Sequence, residues 1–444
     1  MNSSIHLSLM KIRLFFSLFM INVLIINTSA QIQTIPCATT EYVTYLNQQD
    51  PGIQNAIEET FFDAKRYSNL KFKKQKDTIY TIKVVFHVLY NNSVQNLNKN
   101  YILSQLQELN ECFRRQNADT TETRDIFLPV AADAGIEFEL AKLDPDGNPT
   151  TGIIRKPTDL PTFGQFPINL TSADRVKETT YGSPIWDPDR YLNIWICDLS
   201  VSGFDALLGY AYPPTNAKNW NANSYATKSK QGVVVHYKVV GKENPLLLST
   251  GSKTLVHEVG HYLGLRHIWG DGSRTQGCNV DDFMDDTPNS RAASNGCNLG
   301  QNTCLNNPGD LPDMIENYMD YSEGYCQNMF TEQQVGQMRS NLTLFRSGIA
   351  TVRYPAPPPE ISEYTAIYPN PVVDDITITL ADIDSETDYQ LEITNLLGQL
   401  VFKSKLEPVS SQTISGLNAL RGMNVCKVLK KGEGILTEKI LFQL

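Results

Sequence analysis

The run His257-Glu258-Val259-Gly260-His261-Tyr262-Leu263-Gly264-Leu265-Arg266-His267 decides how this chain is read. On a helix, positions four apart share a face, so His257 and His261 project side by side and can hold one divalent metal at tetrahedral angles. Glu258 falls about 100° further round the helix. That places it beside the metal rather than on it, where it can take a proton from a metal-bound water. Gly264 is free to adopt positive φ, which ends the helix and turns the chain back, so that His267 arrives as a third ligand from a loop. The fourth position stays open for water or substrate. Three of the six histidines in the chain fall in this one run, with the Gly and the third His at fixed offsets. Zinc is therefore the expected cofactor, and hydrolysis by activated water the expected chemistry. Leu255, Val256, Val259, Leu263 and Leu265 give the helix an apolar side to seat against a core.

The extended motif resembles that of the metzincin metalloproteases, and Asn317-Tyr318-Met319-Asp320-Tyr321 resembles their Met-turn. That resemblance implies Met319 as an apolar floor beneath the metal. It also implies a Tyr321 phenol that reaches the metal or the developing oxyanion. The segments Lys83 to Tyr90, Leu192 to Cys197, Asp285 to Pro288 and Asn317 to Tyr321 are similar to blocks of the pappalysin family, in particular its bacterial cytophagalysin branch. Together they span most of residues 78–348. The resemblance implies a secreted endopeptidase made as a zymogen, with a structural calcium between the zinc motif and the Met-turn.

Targeting signals agree with export. Lys11 and Arg13 precede an apolar stretch from Leu14 to Ile26, and Thr28-Ser29-Ala30 offers a small-residue cleavage site, so residues 1–30 read as a signal peptide. The apolar run is short for a membrane anchor. About 410 residues of the 444 remain, enough for two or three domains. The expected plan is a pro-segment over 31–76, a catalytic domain over 77–350, a Pro-rich linker over 351–363 and a β-domain over 364–444. The fold class is α+β: a metzincin-like catalytic domain with a mixed sheet and a zinc-binding active-site helix, followed by a small β-sandwich. A net charge of −10 argues against nucleic acid as a partner. A monomer acting on protein or peptide substrates outside the cell is expected.

The eight cysteines divide by position. Cys278, Cys297, Cys304 and Cys326 lie between the zinc motif and the end of the Met-turn, and four cysteines allow three connectivities. A second zinc site built from them is disfavoured by the absence of a Cys-x-x-Cys knuckle and by the oxidising context. Family resemblance implies the crossed pairing Cys278–Cys304 and Cys297–Cys326. Cys37 stands alone just past the signal peptide. A thiolate carried on a detachable segment can fill the open metal position and exclude water. Cys37 with the following Thr and Glu resembles the family's cysteine switch, although Ile35 and Ala38 stand where Arg and Gly are usual. A free thiol is the alternative. Cys112, Cys197 and Cys426 read as buried thiols.

Asp281, Asp282, Asp285 and Asp286 crowd one loop, and carboxylates so close repel unless a cation or strong hydrogen bonds intervene. Calcium suits such a set, and Asp282, Asp286 and Thr287 match the family's calcium loop; a solvated acidic loop is the alternative. Strands are expected over Ile82–Tyr90, Gly135–Leu143 and Leu192–Cys197, and an amphipathic helix over Tyr101–Gln116. Gly232 to Val240 is expected to be the edge strand that pairs with an extended substrate, with His236 as a strand residue rather than a ligand. Beyond the linker, short β-runs, the Tyr-Pro-Asn-Pro opening at 368–371 and the turn Asn395 to Gln399 resemble the C-terminal sorting domain of type IX secretion, which implies the secretion machinery as a partner. Asn424 replaces a usual aromatic there.

The cytophagalysin branch usually carries two acids after Tyr-Ser, shaping the pocket for the side chain that follows the scissile bond. Here Glu323 is retained and Gly324 replaces the second, so a weakened preference for basic residues is expected. The competing functional reading is a catalytically silent binding or adhesion protein on a protease scaffold. Loss of Glu258 or of a ligand would mark it, and every such position is filled. Activation is expected after one of Lys65, Arg66, Lys71, Lys73, Lys74 or Lys76.

Overall fold

The computed structural model describes residues 34–71, 78–165, 169–215, 228–248, 251–271, 276–305, 310–353 and, with single-residue gaps, 365–442. The expected signal peptide, Lys73, Lys74 and Lys76 of the activation stretch, and the proline run at 355–359 lie outside them. Two compact units are present, one ending at Arg353 and the other beginning at Tyr354. Among the described residues no helix is long and apolar enough to cross a membrane.

The first unit is built on β1 (Ile79–Tyr90), Ile-Tyr-Thr-Ile-Lys-Val-Val-Phe-His-Val-Leu-Tyr, whose run from Val84 to Leu89 is buried on both faces. Such a run fits a central strand covered on two sides. β2 (Ile136–Leu140) and β3 (Ile153–Pro157) pair in parallel with successive halves of it. β4 (Leu192–Cys197) pairs in parallel with residues 84–88 of β1. The sheet continues outward through β6 (Val233–His236) to β5 (Gly209–Ala211), which runs antiparallel to β6. β7 (Ala350–Arg353) closes back antiparallel on the start of β1, so the Pro-rich linker expected from residue 351 begins only beyond Arg353.

The expected edge strand is corrected by this topology. Gly232–Val240 supplies β6, an interior strand of four fully buried residues that ends in a helical turn at Tyr237–Val239. β5 takes the edge instead. Three residues are too few to show a strand period, which is why the edge was not legible in the sequence.

Helices cover the sheet. α1 (Thr39–Gln49) and α2 (Ile53–Lys71) form the N-terminal segment. α3 (Lys99–Phe113) buries Ile102, Gln105, Leu109, Cys112 and Phe113 on one stripe and is capped by the Asn98 side chain. α4 (Lys253–Tyr262) is buried at every residue, and its flanking Leu263 and Leu265 are buried with it. α5 (Glu332–Leu344) begins with a capping box between Thr331 and Gln334. One core lies where α3, α4 and α5 meet the sheet. A second holds α1 against Trp195, Tyr210 and Tyr212.

The second unit has seven described strands in two sheets. β8 (Ala366–Tyr368), β9 (Ile376–Thr379) and β12 (Ser411–Ile414) form one, and β11 (Leu400–Leu406), β10 (Tyr389–Asn395), β13 (Gly422–Lys430) and β14 (Glu433–Phe442) form the other. Alternate residues such as Leu391, Ile393, Cys426 and Val428 point into a shared apolar core. Asn424 is buried, and its amide donates to the carbonyls of Arg421 and Gly422.

Candidate active site

Helix α4 ends as its sequence requires. Gly264 has φ +93°, its N–H bonds to His261 O, and Leu265 N–H reaches back to Gly260 O. The returning loop brings His267 to the two helical histidines. The three Nε2 atoms lie 3.2 Å (His257 to His267), 3.1 Å (His261 to His257) and 3.0 Å (His261 to His267) apart. Each Nδ1–H has its own acceptor: Tyr318 O at 2.7 Å for His257, Leu265 O at 2.9 Å for His261, and the Asp271 carboxylate for His267. These bonds fix the tautomer, so every Nε2 lone pair faces one point. Burial and the neighbouring His267 hold His257 down to about 3, and the same causes hold His261 well below its usual range. Neutral imidazoles are what a metal needs. Trp269 stacks on the His267 ring at 4.3 Å and sets its plane.

Met319 is fully buried beneath the site. A Cβ on Gly260 would come within 2.5 Å of its Sδ, so the glycine inside the motif admits the Met-turn sulfur against the helix.

The fourth position is filled by the chain itself. Cys37 Sγ joins the three imidazoles in the one cluster of potential metal ligands among the described residues, all ligand atoms lying within 4.8 Å of one another. Its approach is guided by the edge strand: Ile35 bridges Leu207 in parallel, and Ala38 N–H donates to Gly209 O at 2.9 Å. Ile35 and Ala38, the two departures from the usual switch, pack into the apolar layer around Leu207. Tyr321 does not face open solvent; its hydroxyl donates to Cys37 O at 2.9 Å. Glu258 is fully buried, and its Oε2 accepts from the Thr39 hydroxyl at 3.1 Å. Burial raises the Glu258 carboxyl to about 8. Thr39 Oγ1 also accepts from Ala211 N, tying Glu258, the N-terminal segment and the edge strand together.

The remaining sequence candidates fall as follows. Cys278 pairs with Cys304 and Cys297 with Cys326; Cys37, Cys112, Cys197 and Cys426 are free and buried. In the acidic loop, Asp282 Oδ1 accepts from Met284 N–H and the Thr287 hydroxyl, while its buried Oδ2 has no hydrogen-bond partner in the chain. Asp286 spends both oxygens on Thr331 Oγ1 and Gln333 N at the start of α5. Glu323 and Gly324 are not among the residues lining the pocket beside His257. That pocket is formed by Pro36, Thr254, Asp320, Tyr321, Ser322 and Gln327. The chain turns between Glu323 and Cys326, where Cys326 N–H donates to Glu323 O at 2.9 Å. His236 donates through Nε2 to Asp205, accepts from Leu199 N–H at Nδ1, and holds no place in the site. Lys65 and Arg66 lie within α2, a poor conformation for a protease to bind.

Three contributors were missed by sequence reasoning: Asp271, Trp269 and Thr39. An aspartate four residues beyond the last ligand was the available signal for the first.

A buried helix bearing two of three converging histidines, an acid between them and a methionine floor define a metalloprotease of metzincin architecture. Comparison with known proteins agrees. Residues 175–343 match the peptidase family model described as pregnancy-associated plasma protein-A, and residues 366–443 match that of a secretion system C-terminal sorting domain. Mature mirolysin from Tannerella forsythia, solved with a cleaved peptide, is 40% identical, with 61% of this chain and 95% of that one covered at a TM-score of 0.54. A promirolysin mutant is 36% identical, covering 71% and 97%, at a TM-score of 0.59. The chain belongs to the pappalysin family of metallopeptidases, and its terminal sorting module marks it for secretion. An extracellular metalloprotease of Pyricularia oryzae is 39% identical over 157 residues, 35% of this chain. One from Coccidioides posadasii is 40% identical over 141 residues, 32% of this chain. The chain spans about half the length of these relatives, 50% and 47%.

Proposed function

We propose that this protein is a zinc-dependent endopeptidase, held latent by its own N-terminal segment and active once that segment is removed. The observation that carries the reading is the set of three Nε2 atoms 3.0–3.2 Å apart, each Nδ1 committed elsewhere, with the Cys37 thiol opposite. Metal–nitrogen bonds of about 2.0–2.1 Å in a tetrahedral site give nitrogen–nitrogen edges of about 3.3 Å, so His257, His261 and His267 fit zinc. Bound there, zinc supplies Lewis acidity and lowers the pKa of a coordinated water.

The chain's own groups do the rest. When residues 34–39 leave, Glu258 loses Thr39 and faces the vacated position, where it takes a proton from the attacking water and passes it to the departing amine. A carboxylate at the edge of the vacated position is placed for both transfers. Tyr321, released from Cys37 O, turns its hydroxyl to the developing oxyanion. β5 offers the backbone groups that bonded Ala38 and Thr39 to an extended peptide. Met319 keeps the floor apolar, and the pocket beside His257, which Pro36 lines in the latent form, receives the side chain after the scissile bond. Protein or peptide chains are the substrates, and the export machinery engages the second unit. Calcium joins the Asp282 loop, supported by the buried, unpartnered Asp282 Oδ2 among neighbouring acids. Casein hydrolysis by the activated protein, abolished by a chelator and restored by zinc, tests the reading; metal binding without hydrolysis would favour the silent adhesion protein.

A further inference from the structure

Tyr42, on the first turn of α1, sits in a built socket. It is fully buried, its hydroxyl donates to Asp174 Oδ1 at 3.1 Å, and it accepts from Lys177 Nζ at 3.1 Å. Asp174 is held by Lys177 Nζ at 2.7 Å and Lys230 Nζ at 2.6 Å. The walls are aromatic: Tyr210 lies 4.8 Å away, centroid to centroid, and Tyr212 meets the ring edge-on at 6.2 Å. Asp174 and Lys177 come from one turn of chain, and their side chains are 2% exposed. Lys177 gives its other protons to Asp174 and to Lys230 O. Removal of the N-terminal segment therefore leaves one donor and one acceptor facing the hole that the phenol filled.

This socket lies behind the edge strand, on the face opposite Gly209 and Ala211. Tyr210 is the middle residue of β5, and the stretch from Ile35 to Thr39 lies along that strand. Pro36 lines the pocket beside His257, assigned above to the side chain after the scissile bond. Tyr42 lies on the other side of Cys37, towards the residues before that bond. Resting on the peptidase reading, we propose that the socket of Asp174, Lys177, Tyr210 and Tyr212 is a specificity subsite of the activated enzyme. It takes a tyrosine side chain of the substrate, and Tyr42 fills it in the latent form.

A phenol satisfies both facing groups, whereas phenylalanine fills the walls and leaves the third Lys177 proton without an acceptor, Asp174 Oδ1 keeping Lys177 and Tyr210. A hydrogen bond to a charged partner corresponds to roughly tenfold or more in a rate or binding constant. The experiment uses zinc-loaded protein freed of its N-terminal segment by trypsin. Labelled peptides carry Tyr, Phe, Glu or Leu at each of three positions before the cleaved bond. At one position, Tyr should exceed Phe at least about tenfold in kcat/KM, and Lys177→Met should bring the two together. Binding of the same peptides to the activated Glu258→Ala protein, read by fluorescence anisotropy, should show the same ratio without turnover and without altering the socket. Equal values for Tyr and Phe at all three positions in both assays overturn the proposal, as does selection of Glu, which would make the site an anion pocket. Tyr-selective binding with no cleavage of any peptide leaves the socket standing and removes the peptidase reading.

Discussion

Replacing Asp271 by alanine in the activated protein should loosen zinc without touching a ligand. The carboxylate accepts the Nδ1–H of His267, and Trp269 stacks on the opposite concern of that ring, its plane. With Asp271 gone, a buried ring N–H has no acceptor, and an unsatisfied buried donor costs about 1–3 kcal/mol. At about 1.4 kcal/mol per tenfold that is roughly 5- to 150-fold in affinity, which brackets the 10- to 100-fold usual for loss of such a supporting group. Asp271→Asn keeps an acceptor oxygen and should lose less than about tenfold. Competition with a chromogenic chelator gives the dissociation constants, and near-ultraviolet circular dichroism verifies that each variant is folded. The Thr40 hydroxyl also donates to Asp271 in the latent form, so the activated protein is the right object. A folded Asp271→Ala protein with zinc affinity within about twofold of wild type would refute the argument.

Other consequences are as direct. Cys37→Ala should shorten the lag before activity in full-length protein. It should not abolish latency, because Thr39, Ala38 and Tyr321 still hold the segment; an unchanged lag would remove the thiol from the blocking role. His87 is buried between Ser183 and Asn193, and burial lowers it to about 4 from an ordinary 6.5. The unfolded chain therefore binds the proton first, so this contribution is complete above pH about 6.5 and is lost as pH falls towards 4, at most about 3 kcal/mol. His87→Leu should flatten the fall in stability between pH 7 and 5 in denaturant titrations, and an unchanged slope counts against it. A peptide library should show a weakened or altered preference for Arg and Lys after the scissile bond, since Gly324 stands in place of a second acid beside Glu323. Cleavage confined to bonds before basic residues would contradict this and direct attention to the buried Asp320.

How much of this was legible follows from the range of each interaction. The histidines and Glu258 lie within one helix and its return, so 3.6-residue periodicity and one glycine place them. The crossed disulfides followed family resemblance, and the structure forms both. Long-range features were opaque. The edge role passed to β5 because only tertiary pairing distinguishes three residues from a loop. The Tyr42 socket draws on residues 42, 174, 177, 210 and 230, which no local pattern connects. The reach of Glu323 was not legible, because the direction of a turn past the Met-turn depends on packing around Cys326.

The central claim is that Glu258 moves the proton while the three histidines hold zinc, and Glu258→Gln in the activated protein separates these roles. The glutamine keeps the shape and cannot accept the proton, and a general base contributes about 100-fold or more. Zinc content by elemental analysis and peptide turnover should be measured on the same sample. The account predicts one zinc per chain, as in wild type, with turnover below about 1%. Turnover of more than a few per cent with zinc retained would contradict it.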